Sequence, residues 1–526
     1  MTALLHERVS AAARRWPAAI AIVMRDRRVT YHQLDDASTR LARTLREAGC
    51  RDGDRVGLLL PKSIDAIVAM LGVLKARALY VPIDVQNPAP RAARIVDACR
   101  PRVILAAASA APLLAELRAV SPFAAEARVG WLGVPPPAEA QAAGFTQDDV
   151  DAQSAAPLSI SGEPEARAHI LFTSGSTGLP KGVVINHASV AAFLDWALPH
   201  FGYQPGDRVS GHAPLHFDLS TFDIYGALSA GAELHLVPPE LNLLPGKLAR
   251  FIRERELVQW FSVPSVMNYM ARMDAVRPGD FQALRRVLWC GEVLPTPALI
   301  HWMERLPHAS FTNLYGPTEA TIASSYYRVS GVPSDPAANI PIGKPCGGER
   351  LFVLDAEKRP LPPGEIGDLY IAGAGLAAGY WEDAEKTAAA FVPAVDGNGL
   401  MYRTGDLAKL REDGEVVFVG RADTQIKSRG YRIELGEIEA ALGAIDALQE
   451  YAVVAVDRDS FEGATVCCAY AAKPGRELPA AELRTLLSAR LPAYMLPTRW
   501  AALDGLPKNG NGKIDRRRLQ DEVFAT

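Results

Sequence analysis

The sequence predicts an α/β protein: a large N-terminal domain of layered α/β sheets with a β-rich subdomain, then a small α+β C-terminal domain. Three observations predict it. Strand-like and helix-like runs alternate early in the chain, short strands broken by turns take over at residues 350–420, and a third pattern begins after Gly420. At 526 residues the chain is also too long for a single ordinary core.

Arg55–Leu60 reads as a buried strand, Ser63–Lys75 as an apolar helix and Leu79–Ile83 as the next strand. That order points to parallel pairing with helices layered on the sheet. Similar alternation recurs at Arg208–Ala213, Thr221–Ala230 and Glu233–Val237. Residues 107–162 are rich in Ala, Pro and Gly and carry no recognisable chemistry. The β-rich unit is expected to use Leu351–Asp355, Pro360–Gly364, Asp368–Ala372 and Gly414–Gly420 as strands. Beyond it, Ile438–Leu442 and Pro479–Leu491 read as helices, with strands at Glu450–Val456 and Thr465–Ala471. The shift at Arg421–Thr424 sets the expected boundary: a core over 1–422, its β-rich subdomain over about 345–422, and a second domain over 423–526.

Hydrophobic residues make up 49% and charged residues 22%, which excludes a disordered or fibrous chain. A net charge of −4 supplies no bulk electrostatic drive toward nucleic acid or an anionic membrane, so neither is expected as a partner. The apolar run Ala66–Leu74 is far short of the roughly 20 residues of a bilayer span, and the first sixteen residues do not read as a signal peptide. A cytoplasmic location is the expectation. The six cysteines form no CxxC and no metal-ligand spacing, so no zinc site is expected, and Cys467 and Cys468 read as neighbours on opposite faces of a strand.

The segment from His169 to Ile185 is the most informative. A strand enters, the loop Thr173-Ser-Gly-Ser-Thr-Gly178 follows, then Leu179-Pro-Lys-Gly182, and a second strand leaves. Glycines let backbone N–H groups approach an anion, hydroxyls add donors and Lys181 adds a mobile charge, which suits a polyphosphate. It is not a Walker A loop, because Pro180 precedes Lys181 and a strand rather than a helix follows.

Four further motifs follow in order: Asn313-Leu-Tyr-Gly-Pro-Thr-Glu319, Tyr402-Arg-Thr-Gly-Asp406, the run Gly420–Glu434, and Asn509-Gly-Asn-Gly-Lys-Ile-Asp515. With the phosphate loop, they make the chain resemble, along nearly its whole length, the adenylate-forming superfamily of acyl- and aryl-CoA synthetases, luciferases and peptide-synthetase adenylation domains. The resemblance implies ATP and Mg2+ as cofactors and a two-step ligase reaction. Phosphate binding then falls to Thr173, Ser174, Gly175, Ser176, Thr177, Gly178 and Lys181. Tyr315 would offer a ring face to adenine, Asn313 an amide, and Thr318 a donor to the α-phosphate, with Gly316 in the same turn. Glu319 is implied as the magnesium ligand, Asp406 as the acceptor of ribose hydroxyls with Arg421 nearby, and Lys513 as the catalytic lysine. A cation between two joining anions stabilises the transition state. The resemblance also implies a mobile C-terminal domain that rotates between steps, with Asp423 at the hinge and Gly430 beside the incoming pantetheine arm.

Phe217-Asp-Leu-Ser-Thr-Phe-Asp-Ile224 resembles the start of the acyl pocket, where an aspartate at Asp218 pairs with the α-ammonium of an amino acid. A helix N-cap is the alternative role for Asp218. The implied pocket is Asp218, Leu219, Phe222, Leu288, Cys290, Leu314, Ile322 and Ala323, closed by Lys513. Phe261 or Ser262 joins it, since strand alternation lets only one face inward. Such a lining suits a small apolar amino acid and rejects a charged side chain. The flanking text looks most like stand-alone prolyl-adenylating enzymes, which gives L-proline as the expected substrate. No HHxxxD precedes the core and no carrier module follows Lys513, so the phosphopantetheine thiol is expected on a separate holo carrier protein. An acyl- or aryl-CoA synthetase is the alternative within the fold, and an inactive nucleotide-binding scaffold the alternative outside it.

Overall fold

The computed structural model describes residues 4–134, 144–158, 162–175, 179–456, 464–509 and 513–525. Two sheets form the large domain. One runs Gly144–Phe145, Arg128–Leu132, Val103–Ala107, Arg55–Leu59, Leu79–Pro82, Arg167–Thr173, Lys181–Asn186, parallel except for the last antiparallel pair. The other has a parallel centre of Ser310–Tyr315, Arg286–Cys290, Gln259–Ser262, Arg208–Gly211, Glu233–Leu236 and Ile20–Met24, with antiparallel strands at its edges. The main core lies between the two sheets, and each sheet has a second core on its other face.

Central strands such as Arg286–Cys290 are buried at every position, which is why they read as unbroken apolar runs rather than alternations. The helix Ile64–Lys75 is buried nearly all round, and its start is set by Ser63, whose Oγ accepts from Ala66 N–H.

A five-stranded antiparallel sheet follows, built from Glu349–Leu354, Ile366–Gly373, Phe391–Pro393, Leu400–Leu410 and Val416–Arg421. One expected strand is absent from it: Pro360–Gly364 forms no strand, and is tied to the sheet by a bridge from Leu354 to Pro360 and by the Leu361 and Gly364 N–H groups, which donate to Val353 and Leu410 C=O. Three of its five residues are prolines, which have no N–H to give a ladder.

The C-terminal domain opens with the hairpin Gln425–Ser428/Tyr431–Glu434. It continues through the helix Leu435–Gly443 to a sheet of Leu448–Val456, Thr465–Ala472 and Arg499–Ala502, with the helix Ala480–Ser488 beside it. Cys467 and Cys468 do face opposite sides, each in a different core cluster. Among the described residues, no helix is long and apolar enough to cross a membrane.

Candidate functional site

The phosphate loop joins two antiparallel strands, with Thr173 opposite Lys181. Ser176, Thr177 and Gly178 lie outside the described residues. Thr173 Oγ1 is buried with no hydrogen-bond partner among the described residues. Ser174 Oγ donates to Arg432 C=O at 2.6 Å. Gly175 admits no side chain, because a Cβ there would stand 2.1 Å from Leu179 O. At the start of the loop, Thr173 thus keeps a hydroxyl and Gly175 a bare backbone for close approach.

Glu319 is the electrostatic centre of the cleft. It is fully buried, its Oε1 lies 3.0 Å from Lys181 Nζ, and its Oε2 accepts from Arg432 Nη1 at 2.7 Å. Tyr380 Oη donates to Oε1 at 2.9 Å, and Lys181 Nζ reaches Tyr380 Oη at 3.3 Å. Burial opposes its ionisation, but Arg432 and Lys181 outweigh that and hold the carboxyl well below the usual carboxylate range. Burial lowers the Lys181 ammonium in turn, with Glu319 opposing the shift.

Asp406 lies on the central strand Leu400–Leu410 of the β-rich sheet, paired with Arg421 of the neighbouring strand. Tyr315 Oη donates to its Oδ2 and Arg421 Nη1 to its Oδ1, while Thr404 Oγ1 accepts from its N–H at 3.0 Å. A carboxylate offers about four lone-pair sites, so Asp406 keeps acceptor capacity toward a diol. Arg421 is committed to Asp406 and to Asp423, which it meets through two 2.7 Å hydrogen bonds. Asn313 Nδ2 donates to Pro341 C=O at 2.8 Å, which leaves its second N–H and its carbonyl oxygen for a ligand. Lys427 Nζ stands 5.6 Å from the Tyr315 ring centroid, over the face expected to meet adenine.

Asp218 begins a helical stretch whose Phe222–Gly226 segment is a π-helical turn, a form enriched at functional sites. It occupies the N-cap position without making a side-chain capping bond. Burial lifts its carboxyl from an ordinary 3.8 to about 6, against hydrogen bonds from Thr318 and the Leu219 N–H. Thr318 thus stands beside Asp218 in this arrangement.

Leu219, Phe222, Phe261, Leu288, Cys290, Leu314, Ile322 and Ala323 all fall in the main core cluster. Phe261 pairs in register with Leu288 and meets Phe222 edge to face at 5.6 Å. Ser262 Oγ instead accepts from Trp260 Nε1 at 3.0 Å, so Phe261 is the inward member of the pair. Thr321 and Ile322 are successive β-branched residues with φ of +51° and +72°, a strain of order 1–3 kcal/mol each. A Gly316 Cβ would lie 2.6 Å from Ala323 Cα, so the turn closes only on glycine.

The structure does not bring Lys513 to this site. The residue is exposed, its N–H donates to Asn509 Oδ1 at 3.1 Å, and among the described residues no hydrogen bond or ion pair joins its side chain to Asp218, Glu319 or Asp406. The cleft is filled instead by the hairpin around Gly430. Gly430 has φ +80°, its N–H donates to Glu292 Oε1 at 2.7 Å, and a Cβ there would come within 2.7 Å of Val263 Cγ1.

Sequence reasoning missed Tyr380, Arg432, Lys427 and Glu292. Arg432 and Lys427 lie inside the run Gly420–Glu434, where their basic character is a signal the sequence carries. Tyr380 and Glu292 act across 61 and 138 residues and carry no local mark.

A family profile described as "AMP-binding enzyme" matches residues 9–381. The chain belongs to the AMP-binding enzyme family. A second profile, the AMP-binding enzyme C-terminal domain, matches residues 437–513. This AMP-binding enzyme carries both the family's core profile and its C-terminal profile. It is 34% identical to the L-proline--[L-prolyl-carrier protein] ligase of Pseudomonas fluorescens over 521 residues, 99% of both chains. It is 33% identical to Tyrocidine synthase 1 of Brevibacillus parabrevis, over 98% of this chain and 45% of that one. The chain thus spans less than half the length of several curated relatives it matches. The structure of holo-PA1221, an NRPS protein containing adenylation and PCP domains, superposes with a TM-score of 0.79 at 29% identity, over 98% of this chain and 84% of that one.

Proposed function

We propose that this enzyme uses ATP to convert a small apolar amino acid into its aminoacyl adenylate, releasing pyrophosphate, and then passes the acyl group to the phosphopantetheine thiol of a separate carrier protein. The observation that carries the reading is the junction at Thr318 and Glu319. Thr318 stands beside Asp218, which borders an apolar cluster, while Glu319 is held by Lys181 of the phosphate loop. Recognition of an ammonium group and of phosphate therefore meet at adjacent residues.

In the first step the substrate carboxylate forms a bond to the α-phosphorus and pyrophosphate leaves. Asp218 orients the ammonium, Lys181 and the loop hydroxyls hold phosphate oxygens, Asp406 receives the ribose, and Lys513 bridges the two reacting anions once the C-terminal domain carries it into the cleft. Asp423 is the proposed hinge. In the second step the thiol forms a C–S bond with the acyl carbon, the bond to AMP breaks, and the thiol proton leaves to solvent. Gly430 lines the path of the arm.

The residues present fit a magnesium ion held mainly by substrate. Glu319 would supply one hard carboxylate oxygen, freed when Arg432 leaves it with the C-terminal domain, and phosphate oxygens would complete the shell. When bound, that ion would neutralise phosphate charge.

L-proline is the substrate this reading favours, supported by the 34% identity to a proline ligase and by the compact lining. The test is ATP–pyrophosphate exchange across the twenty proteinogenic amino acids, benzoate and a short fatty acid. Proline-dependent exchange is expected. Exchange with another small apolar amino acid corrects the substrate alone, and exchange with benzoate or the fatty acid alone overturns the reading.

A further inference from the structure

Inside the cleft, the C-terminal domain meets the large domain through Arg432 on Glu319 and Gly430 on Glu292. A further contact lies outside it. Arg91, on the helix Ala89–Cys99, forms an ion pair with Glu437 in the first turn of the helix Leu435–Gly443. The two side chains are 5% and 1% exposed. Arg91 Nη1 also lies 3.3 Å from Met495 Sδ, and the neighbouring Tyr494 stacks on Tyr431 at 3.7 Å and 13°.

Such a pair is a poor source of net stability. Both charges lose their hydration, and Glu437 Oε2 is buried with no hydrogen-bond partner among the described residues. Burial raises the Glu437 carboxyl while Arg91, and after it Arg94, holds it down, so the glutamate depends chiefly on Arg91. The same pair is expensive to break by halves, because one buried charge then stands alone. A domain rotation separates the partners and returns both to water, so a missing partner costs free energy only in the docked orientation.

We propose that Arg91 and Glu437 form an interdomain latch that selects the orientation in which the Gly430 hairpin fills the cleft and Lys513 lies outside. They are positioning residues, since neither touches substrate. The latch rests on the two-step reading above, in which this orientation serves the thiol transfer. Arg91→Ala and Glu437→Gln then slow transfer and spare adenylation.

The test measures both steps and the orientation itself. Adenylation is followed by ATP–pyrophosphate exchange, and transfer by mixing preformed aminoacyl adenylate with free pantetheine in a single turnover. Each single variant is expected to lose transfer about tenfold or more while exchange stays within about twofold. The charge swap Arg91→Glu with Glu437→Arg is expected to recover most of the loss. Orientation is read from fluorophores on Glu126→Cys and Glu482→Cys, both exposed positions in a chain whose own cysteines are buried. A single interdomain distance in the parent and a shifted or broadened one in the single variants supports the latch, even should the parent show no exchange and the functional reading fail. Unchanged distances, equal loss of both steps, or a swap no better than the single variants overturns it. Should Arg91→Ala not fold, Glu437→Gln decides, because it keeps the side chain's shape.

Discussion

Asp218 supplies a test of substrate recognition that needs only a change of pH. Its carboxyl sits at about 6 because burial disfavours the charged form and Thr318 only partly compensates. The group is ionised above that value. At pH 7 about nine-tenths of the free enzyme carries the carboxylate, and at pH 5 about one-tenth does. The substrate ammonium stays protonated throughout, so only the ionised enzyme can pair with it. Once paired, the ammonium pulls the carboxyl pKa down, and the titration then belongs to the free enzyme rather than the complex. The KM for the amino acid in pyrophosphate exchange should therefore rise about tenfold between pH 7 and pH 5, with kcat changing less. The KM for ATP, held by Lys181 and the loop, should not follow the same curve. Glu319 stays ionised across this range, since its cationic partners hold it well below the usual carboxylate values. An amino-acid KM that is flat from pH 7 to 5, or one that moves in step with the KM for ATP, would refute the assignment of the ammonium to Asp218.

Lys513→Ala should reduce exchange by about 10²–10³ while leaving ATP binding, measured by calorimetry, nearly intact. Because the side chain is exposed, the thermal midpoint should hardly move. Gly430→Ala combines an unfavourable φ of +80° with a 2.7 Å approach to Val263, a cost of roughly 2–5 kcal/mol in the docked state. Thiol transfer should fall more than tenfold and exchange should survive. His169 is buried and stacked on Tyr80 at 4.8 Å, and burial lowers its pKa to about 3. Its unfolded form protonates near 6.5, so acid favours the unfolded chain below that pH, by about 2 kcal/mol between pH 7 and pH 5. Asp223 and Glu349, raised by burial to about 8 and 7, shift stability the opposite way. Urea unfolding of the parent and His169→Phe at both pH values cancels those two groups, and the parent should lose about 2 kcal/mol more than the variant.

Much of this was legible in the sequence because buried parallel strands leave unbroken apolar runs and phosphate loops leave glycines and hydroxyls. Arg55–Leu59, Leu79–Pro82 and the strands flanking the phosphate loop follow from that alone. Pro360–Gly364 misled because turn residues between strands look like a short strand when apolar side chains intervene. The choice between Phe261 and Ser262 needed the register with Leu288, which no local pattern carries. The role of Arg432 was hidden for another reason: the motif marks its position, but only the docked domain shows that it meets Glu319, 113 residues away. The exposed place of Lys513 belongs to the same orientation and could not be read from its motif.

The strand Gln259–Ser262 and its neighbour Arg286–Cys290 divide their side chains between two compartments. Trp260 and Trp289 anchor one core, while Phe261, Leu288 and Cys290 turn toward the other, on the side of Asp218. Alternate letters of one short word therefore answer to different demands. Phe261, Leu288 and Cys290 can change in size while Trp260 and Trp289 go on holding the sheet to its helices.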